Sequence, residues 1–275
     1  MKILITGGAG YIGSHVAVEL MNRGDEVVIY DNFSTGTESN IAGITQITGK
    51  TPDVCRADLL DVQSLRNFID KHRPIDAVIH LASLKNASES LSIPAKYYEN
   101  NLGGLINLIS ALIARQGGAP IVFSSSAAVY DSGVSKDRFH EGHLTAPESP
   151  YAHIKIISEE ILRNCRATPF VSLRYFNVAG AHPSGLVGED WRHSGNLFPS
   201  IIRSVMAGEV FSLFGDNHQT PDGTCHRDYV HVTDLAKAHI NAMNIAIEAL
   251  QKDIPNQIFN LGTGNPTSVL QVMDS

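Results

Sequence analysis

The 275-residue sequence predicts an α/β fold, a doubly wound parallel sheet followed by a smaller, incomplete C-terminal lobe. Three observations carry that expectation. The chain opens on a β-prone run that ends in a glycine turn and passes into a helical pattern. Apolar runs then alternate with helix-period segments as far as residue 176. Beyond residue 177 the alternation breaks into shorter elements separated by glycine, proline and polar stretches. The expected division is therefore 1–176 for the sheet domain, which can recruit parts of 225–262, and 177–275 for the second lobe.

Composition narrows the class. With 43% hydrophobic and 18% charged residues the chain is ordinary for a globular protein with a full core. A formal net charge of −7 argues against nucleic acid or a membrane surface as the main partner. Cys55, Cys165 and Cys225 are widely spaced and odd in number, which suits a reducing compartment and offers neither a disulfide framework nor a metal site. No signal peptide or membrane span is legible, so a cytoplasmic location is expected.

Residues 2 to 6 form the first strand candidate, ending on Gly7-Gly8-Ala9-Gly10-Tyr11-Ile12-Gly13 before a helix with Val16, Val18, Leu20 and Met21. Glycines there let the backbone turn tightly and approach a pyrophosphate, which rests on the free amides of the helix N-terminus. The next strand, Glu26 to Tyr30, ends on Asp31. A carboxylate at that strand end accepts hydrogen bonds from both ribose hydroxyls of an adenosine and repels a 2′-phosphate, so the pattern points to NAD in a Rossmann unit. Residues 32 to 50 read as a loop with at most a weak helix, and Thr51 to Asp58 as a third strand. Asp58 is open to two readings, contact with an adenine amino group or a structural cap on the helix that starts near Asp61.

A helix from Val62 to Lys71 leads to the unalternating run Ala77 to Ala82, as expected of a strand covered on both faces. His80 within it reads as a core histidine. Residues 95 to 116 carry one long helical pattern, ended by Gly117-Gly118. Ile121 to Ser126 is a fifth strand ending in three hydroxyls, and Ser124 to Ser126 therefore belong at the carboxyl edge where ligands collect. After a connection over 127 to 149, a helix from Pro150 to about Asn164 carries Tyr151 and Lys155 four residues apart on one face. Ser149 suits its cap and Pro150 its first turn. A phenol beside a cation at the positive end of a helix should ionise more easily than its reference pKa of about 10 allows.

Phe170 to Phe176 is the sixth strand. A glycine- and proline-rich segment over 179 to 196 follows, then a helix near Pro199 to Ala207 and a strand near Phe211 to Phe214. At the end, Gln257 to Leu261 reads as a strand and Val269 to Met273 as a short helix capped by Thr267-Ser268. Stopping about two turns into a helix reads as truncation.

The strings Thr6-Gly7-Gly8-Ala9-Gly10-Tyr11-Ile12-Gly13-Ser14-His15, Phe123-Ser124-Ser125-Ser126, Arg174-Tyr175-Phe176-Asn177 and Arg227-Asp228-Tyr229 resemble the extended short-chain dehydrogenase/reductase family, in its UDP-hexose 4-epimerase branch. The resemblance implies Tyr151, Lys155 and Ser126 as catalytic residues. For NAD it implies Gly7, Gly10, Tyr11, Ile12, Gly13, Asp31, Asn32, Asp58, Leu59, Leu81, Ala82, Lys85, Asn100, Ser124 and Phe176. For a UDP-hexose substrate it implies Asn177, Asn196, Leu197, Phe214 and Arg227, the last as a diphosphate clamp. No metal is implied, and a homodimer is a family expectation. Where the family has glycines this chain has Ser83 and Ser88. Two other readings stand beside this one. The chain could be a non-catalytic NAD-binding remnant, or a sugar-nucleotide dehydratase, which would want an acid pair where Ala127 and Ala128 stand.

Overall fold

Parallel strands need crossovers, and the helix-period segments between the apolar runs supply them. The computed structural model describes residues 1–130, 138–192, 194–252 and 254–275. In chain order its first half comprises β1 (Lys2–Thr6), α1 (Tyr11–Asn22), β2 (Glu26–Asp31), α2 (Glu38–Thr48), β3 (Asp53–Arg56), α3 (Val62–His72), β4 (Ala77–His80), α4 (Ala87–Ser92), α5 (Pro94–Tyr98), α6 (Gly104–Gln116) and β5 (Ile121–Ser124). Then come α7 (Pro150–Asn164), β6 (Phe170–Tyr175), β7 (Asn177–Ala179), α8 (Leu197–Ala207), β8 (His226–His231), α9 (Val232–Lys252), β9 (Gln257–Leu261), β10 (Pro266–Ser268) and α10 (Val269–Met273). Residues 131–137 of the 127 to 149 connection, and residue 193 of the segment after β7, lie outside the described residues.

Seven strands form one parallel sheet in the order β3-β2-β1-β4-β5-β6-β9, reversing direction of growth between β1 and β4 as a doubly wound sheet must. Register aligns Thr6 with Tyr30 and His80, which brings the carboxyl ends of β1, β2 and β4 to one edge. One core cluster packs α1, α2 and α9 against one face, through Val16, Leu20, Ile44 and Met243. Another packs α3 and α6 on the opposite face, through Leu65, Phe68, Leu105 and Leu112. Burial on both faces accounts for the missing alternation in β1, β4 and β5. A small three-stranded sheet, ordered β10-β8-β7, hangs beside the main one.

The structure departs from the sequence expectations at four places. Residues 38–48 are a helix, because Thr37 accepts the Asn40 amide at 3.2 Å as N-cap and Gly49 at φ +69° ends it. The single helix expected over 95–116 is divided by a π-helical turn at Glu99–Gly103. No strand forms at 211–214, where Phe214 is 88% exposed and pairs with no strand among the described residues. Finally, α9 was not anticipated: Leu235, Ala236, His239, Ala242, Met243 and Ala246 line its buried face against α1 and the sheet. β9 follows α9 into the sheet beside β6, so the sheet is completed by residues beyond 176.

Candidate active site

The carboxyl edge of the sheet opens into a cleft of about 470 Å³. Its floor is the glycine turn. Gly7 sits at φ +77°, and a Cβ there would lie 2.7 Å from the Ala82 nitrogen. A Cβ on Gly13 would lie 2.2 Å from the Gly7 carbonyl oxygen, so both positions keep the turn pressed against its neighbours. Helix α1 has Gly10 at its N-cap and no side-chain cap, which leaves its first amides free for an anion.

Asp31 closes the turn from the end of β2. Its carboxylate accepts the Ala9 amide at 2.9 Å and the Phe33 amide at 2.8 Å. Burial raises its pKa, and those two amides pull the other way. Asp58 holds Asn32 Nδ2 at 2.7 Å and the Leu60 amide at 2.8 Å, while Asp61, not Asp58, caps α3 by accepting the Ser64 amide. Of the two readings for Asp58, the geometry therefore leaves it on the cleft wall. Narrow glycine floor, free helix amides and a ribose-height carboxylate together fit a dinucleotide.

The opposite end of the cleft carries the hydroxyls and the lysine. Ser149 accepts the Ala152 amide at 3.2 Å and Pro150 occupies the first turn, so α7 begins where its sequence predicts. The Tyr151 amide is anchored on Ser90 Oγ at 3.2 Å. Lys155 is 3% exposed; its Nζ donates to the Ser124 carbonyl at 2.7 Å and lies 5.4 Å from the Tyr151 ring centre. The Ser126 hydroxyl faces the Tyr151 phenol and acts to lower its pKa. Ser83 Oγ accepts a longer 3.4 Å contact from Lys155, so the serine standing where the family has glycine is absorbed as a lysine partner, and Ser88 is exposed on α4.

The expected ease of ionisation is not realised in this geometry. Burial raises the Tyr151 pKa, opposed by the Ser126 hydroxyl. Burial also pushes Lys155 down to about 7, with Glu159 acting in the opposite sense. A lysine that is only part-charged at neutrality, and that aims at a carbonyl rather than the phenol oxygen, gives the tyrosine little help. His80 is a core residue bonded through Nδ1 to Thr6 Oγ1 at 2.7 Å, and burial lowers its pKa to about 3.

One wall thus gathers Gly7, Gly10, Tyr11, Ile12, Gly13, Asp31, Asn32, Asp58, Leu59, Leu81, Ala82, Lys85, Asn100 and Ser124 with Tyr151 and Lys155. Phe176 and Ser126 lie off it, although Ser126 reaches it through Tyr151. The residues expected at a UDP-hexose do not line it. Asn177 is exposed on β7, Phe214 is 88% exposed, and Arg227 is exposed on β8 with Nη1 turned to its neighbour's carbonyl, His226 O, at 2.9 Å. Leu197 begins α8, and Asn196 Nδ2 is held by Glu189 Oε1 at 2.8 Å. Glu189 and Tyr175 are among the cleft residues that the sequence reading does not name. Glu189 receives Lys85 Nζ at 2.6 Å and ties the segment after β7 to the sheet domain. Tyr175 hydrogen-bonds Ser124 from the end of β6, and the Arg174-Tyr175-Phe176 string was the available signal for it.

Comparison with known proteins identifies the family. The NAD dependent epimerase/dehydratase family matches residues 3–262. A UDP-glucose 4-epimerase of Bacillus subtilis is 42% identical over 279 residues, covering 99% of this chain and 80% of that one. The crystal structure of a UDP-glucose 4-epimerase from Stenotrophomonas maltophila with bound NAD and formylated UDP-arabinopyranose superposes with a TM-score of 0.89 at 39% identity, covering 100% of this chain and 81% of the other. That of the Bifidobacterium longum enzyme in complex with NAD+ and UDP gives 0.85 at 36% identity, covering 100% and 82%. The chain belongs to the NAD dependent epimerase/dehydratase family, in its UDP-glucose 4-epimerase branch.

Proposed function

We propose that this protein interconverts UDP-glucose and UDP-galactose by reversible hydride transfer at C4 of the sugar, with NAD as its resident cofactor. The observation that carries the reading is a phenol, a buried lysine and a serine at one end of a cleft whose other end is a dinucleotide cradle. Gly7, Gly10 and Gly13 would let the backbone approach the pyrophosphate, the first amides of α1 would receive its charge, and Asp31 would hold the adenosine ribose. When bound, NAD supplies a hydride acceptor and donor together with a positive nicotinamide ring whose field favours the ionised phenol.

Tyr151 takes the proton of the sugar 4-hydroxyl and returns it when the configuration has inverted. Ser126 shares that oxygen and holds the phenol in place. Lys155, fixed on the Ser124 carbonyl, steadies the nicotinamide ribose. Arg227, with Asn177, Asn196, Leu197 and Phe214, belongs to the UDP-sugar in this reading, which asks β7, β8 and α8 to face the cleft when substrate binds. Because C4 loses and regains the same hydride equivalent, no net redox change occurs. The remnant reading is disfavoured by the joint presence of the cradle and the Tyr151, Lys155 and Ser126 set.

Among the described residues no helix is long and apolar enough to cross a membrane. A cytoplasmic location and a homodimer complete the reading, the latter open to light scattering of the purified chain. Incubation with UDP-galactose followed by separation of the sugar nucleotides tests the activity. UDP-glucose is the expected product, and its absence from protein that retains NAD would leave only the binding role.

A further inference from the structure

Beneath the cleft lies a charged cluster that the catalytic scheme does not use. Glu159, one helical turn past Lys155 on α7, is 2% exposed and faces Arg174 of β6, which is 5% exposed. Its Oε1 accepts Ser125 Oγ at 2.7 Å, Ser172 Oγ at 2.8 Å and Arg174 Nε at 3.0 Å, and its Oε2 accepts Arg174 Nη2 at 2.6 Å. Arg174 Nη1 continues to Tyr130 Oη at 3.1 Å, and Tyr130 donates to Asn260 Oδ1 of β9 at 2.7 Å. One carboxylate therefore grips the chain leaving β5, the body of β6 and its own helix.

A buried ion pair is a poor source of stability, since apolar side chains of similar volume do as well or better. Its residues must be satisfied nonetheless, and here four donors satisfy Glu159. What distinguishes this pair is where the grip falls. Ser125 stands between Ser124, whose carbonyl receives Lys155, and Ser126, which faces Tyr151. Each planar peptide unit joins Ser125 directly to one of these neighbours, so a shift at Ser125 is passed to the Ser124 carbonyl and to the Ser126 residue. Displacing the middle residue displaces both partners of the catalytic pair.

We propose that Glu159 is the positioning residue of this site: through Ser125 and Arg174 it locks the end of β5 to α7, so that the Ser124 carbonyl and the Ser126 hydroxyl meet Lys155 and Tyr151. The inference rests on the reading of Tyr151 and Lys155 as the reacting pair. Glu159 acts through its neighbours and touches neither cofactor nor sugar.

The sharpest variant is Ser125→Ala in the full chain, which removes the tie from Ser125 Oγ to Glu159 while keeping the Ser125 amide on the Leu173 carbonyl at 2.9 Å and the Glu159–Arg174 pair. It is expected to lower kcat on the order of tenfold with KM for UDP-galactose within about twofold, because misplacement affects the reacting geometry rather than binding. A second readout needs no turnover. Acetylation of Lys155 by acetic anhydride at neutral pH, followed by mass spectrometry of the peptide, should be about threefold or more faster in Ser125→Ala, as the lysine loses its fixed carbonyl partner. Glu159→Gln should exaggerate both effects if it folds, and Ser125→Ala decides if it does not. An unchanged kcat with unchanged Lys155 labelling overturns the proposal, even if the melting temperature falls. Should the unmodified protein make no UDP-glucose, the functional reading fails, and the labelling rate alone then decides whether Glu159 positions the lysine: faster labelling upholds the positioning, unchanged labelling overturns it.

Discussion

The sheet domain and the segment that follows β6 place their candidate residues by different means. In the sheet domain the central candidates hang from the ends of strands that are paired on both sides, as Asp31 does on β2, where it is itself in register with Arg56 of β3, and Ser124 on β5, where it is in register with Leu173 of β6. After β6 the candidates sit on elements outside the main sheet: β7 has three residues, Arg227 is exposed on β8, and α8 buries only Pro199. Residues in a continuous ladder converge on the cleft without a ligand to gather them. Those outside the main sheet are tied to it by isolated links such as the Lys85–Glu189 pair.

The largest effect that could break this contrast is at Tyr151. Tyr151→Phe should reduce conversion of UDP-galactose by about a thousandfold while NAD remains bound, since only the proton acceptor is lost. Turnover within tenfold of the unmodified protein would remove the sheet domain's claim to the chemistry.

Lys155 gives a stability test of the same region. An unfolded lysine keeps its proton to about pH 10, whereas burial limits the folded one to about pH 7. Between those values the unfolded chain binds more protons, so stability contributed at this site rises with pH. Denaturant unfolding from pH 7 to 9 should show a rise on the order of 1 kcal/mol or more that Lys155→Met abolishes. A parallel pH dependence in both proteins would mean that Lys155 is not desolvated.

Two glycines sharpen the point about close approach. Gly13→Ala, whose Cβ would meet Gly7 O at 2.2 Å, should weaken NAD retention on the order of tenfold to a hundredfold, read by dialysis and absorbance. Gly49→Ala, at φ +69° in open space, should cost only about 1 kcal/mol of stability and leave retention unchanged. In the second region Arg227→Ala should raise KM for UDP-galactose by about tenfold with NAD retention intact. If KM is unmoved, β8 does not take part in substrate binding.

The strands and turns of the sheet domain were legible because their causes are local. Gly7 to Gly13, Asp31, Ser149-Pro150 and the Tyr151–Lys155 spacing each announce a turn, a cap or a shared face within a few residues. Misreadings came where local pattern and environment part. The Thr37 cap stands among polar residues that suit a loop, and the apolar run 211–214 reads as a strand but pairs with none among the described residues. Helix α9 was missed although Leu235, Ala236, His239, Ala242, Met243 and Ala246 recur at helical spacing.

By itself the sequence determined where the first six sheet strands lie along the chain, the glycine turn after β1 and the shared helix face of Tyr151 and Lys155, since periodicity, glycine placement and helix spacing are short-range properties. Tertiary structure alone decided that β9 completes the sheet, that Glu189 meets Lys85 across 104 residues, and that Glu159 meets Ser125 and Arg174 beneath the cleft. Those contacts join residues far apart in the chain. Their selection depends on which charged and polar groups the packed sheet leaves without water, and a window of neighbouring residues carries no record of that.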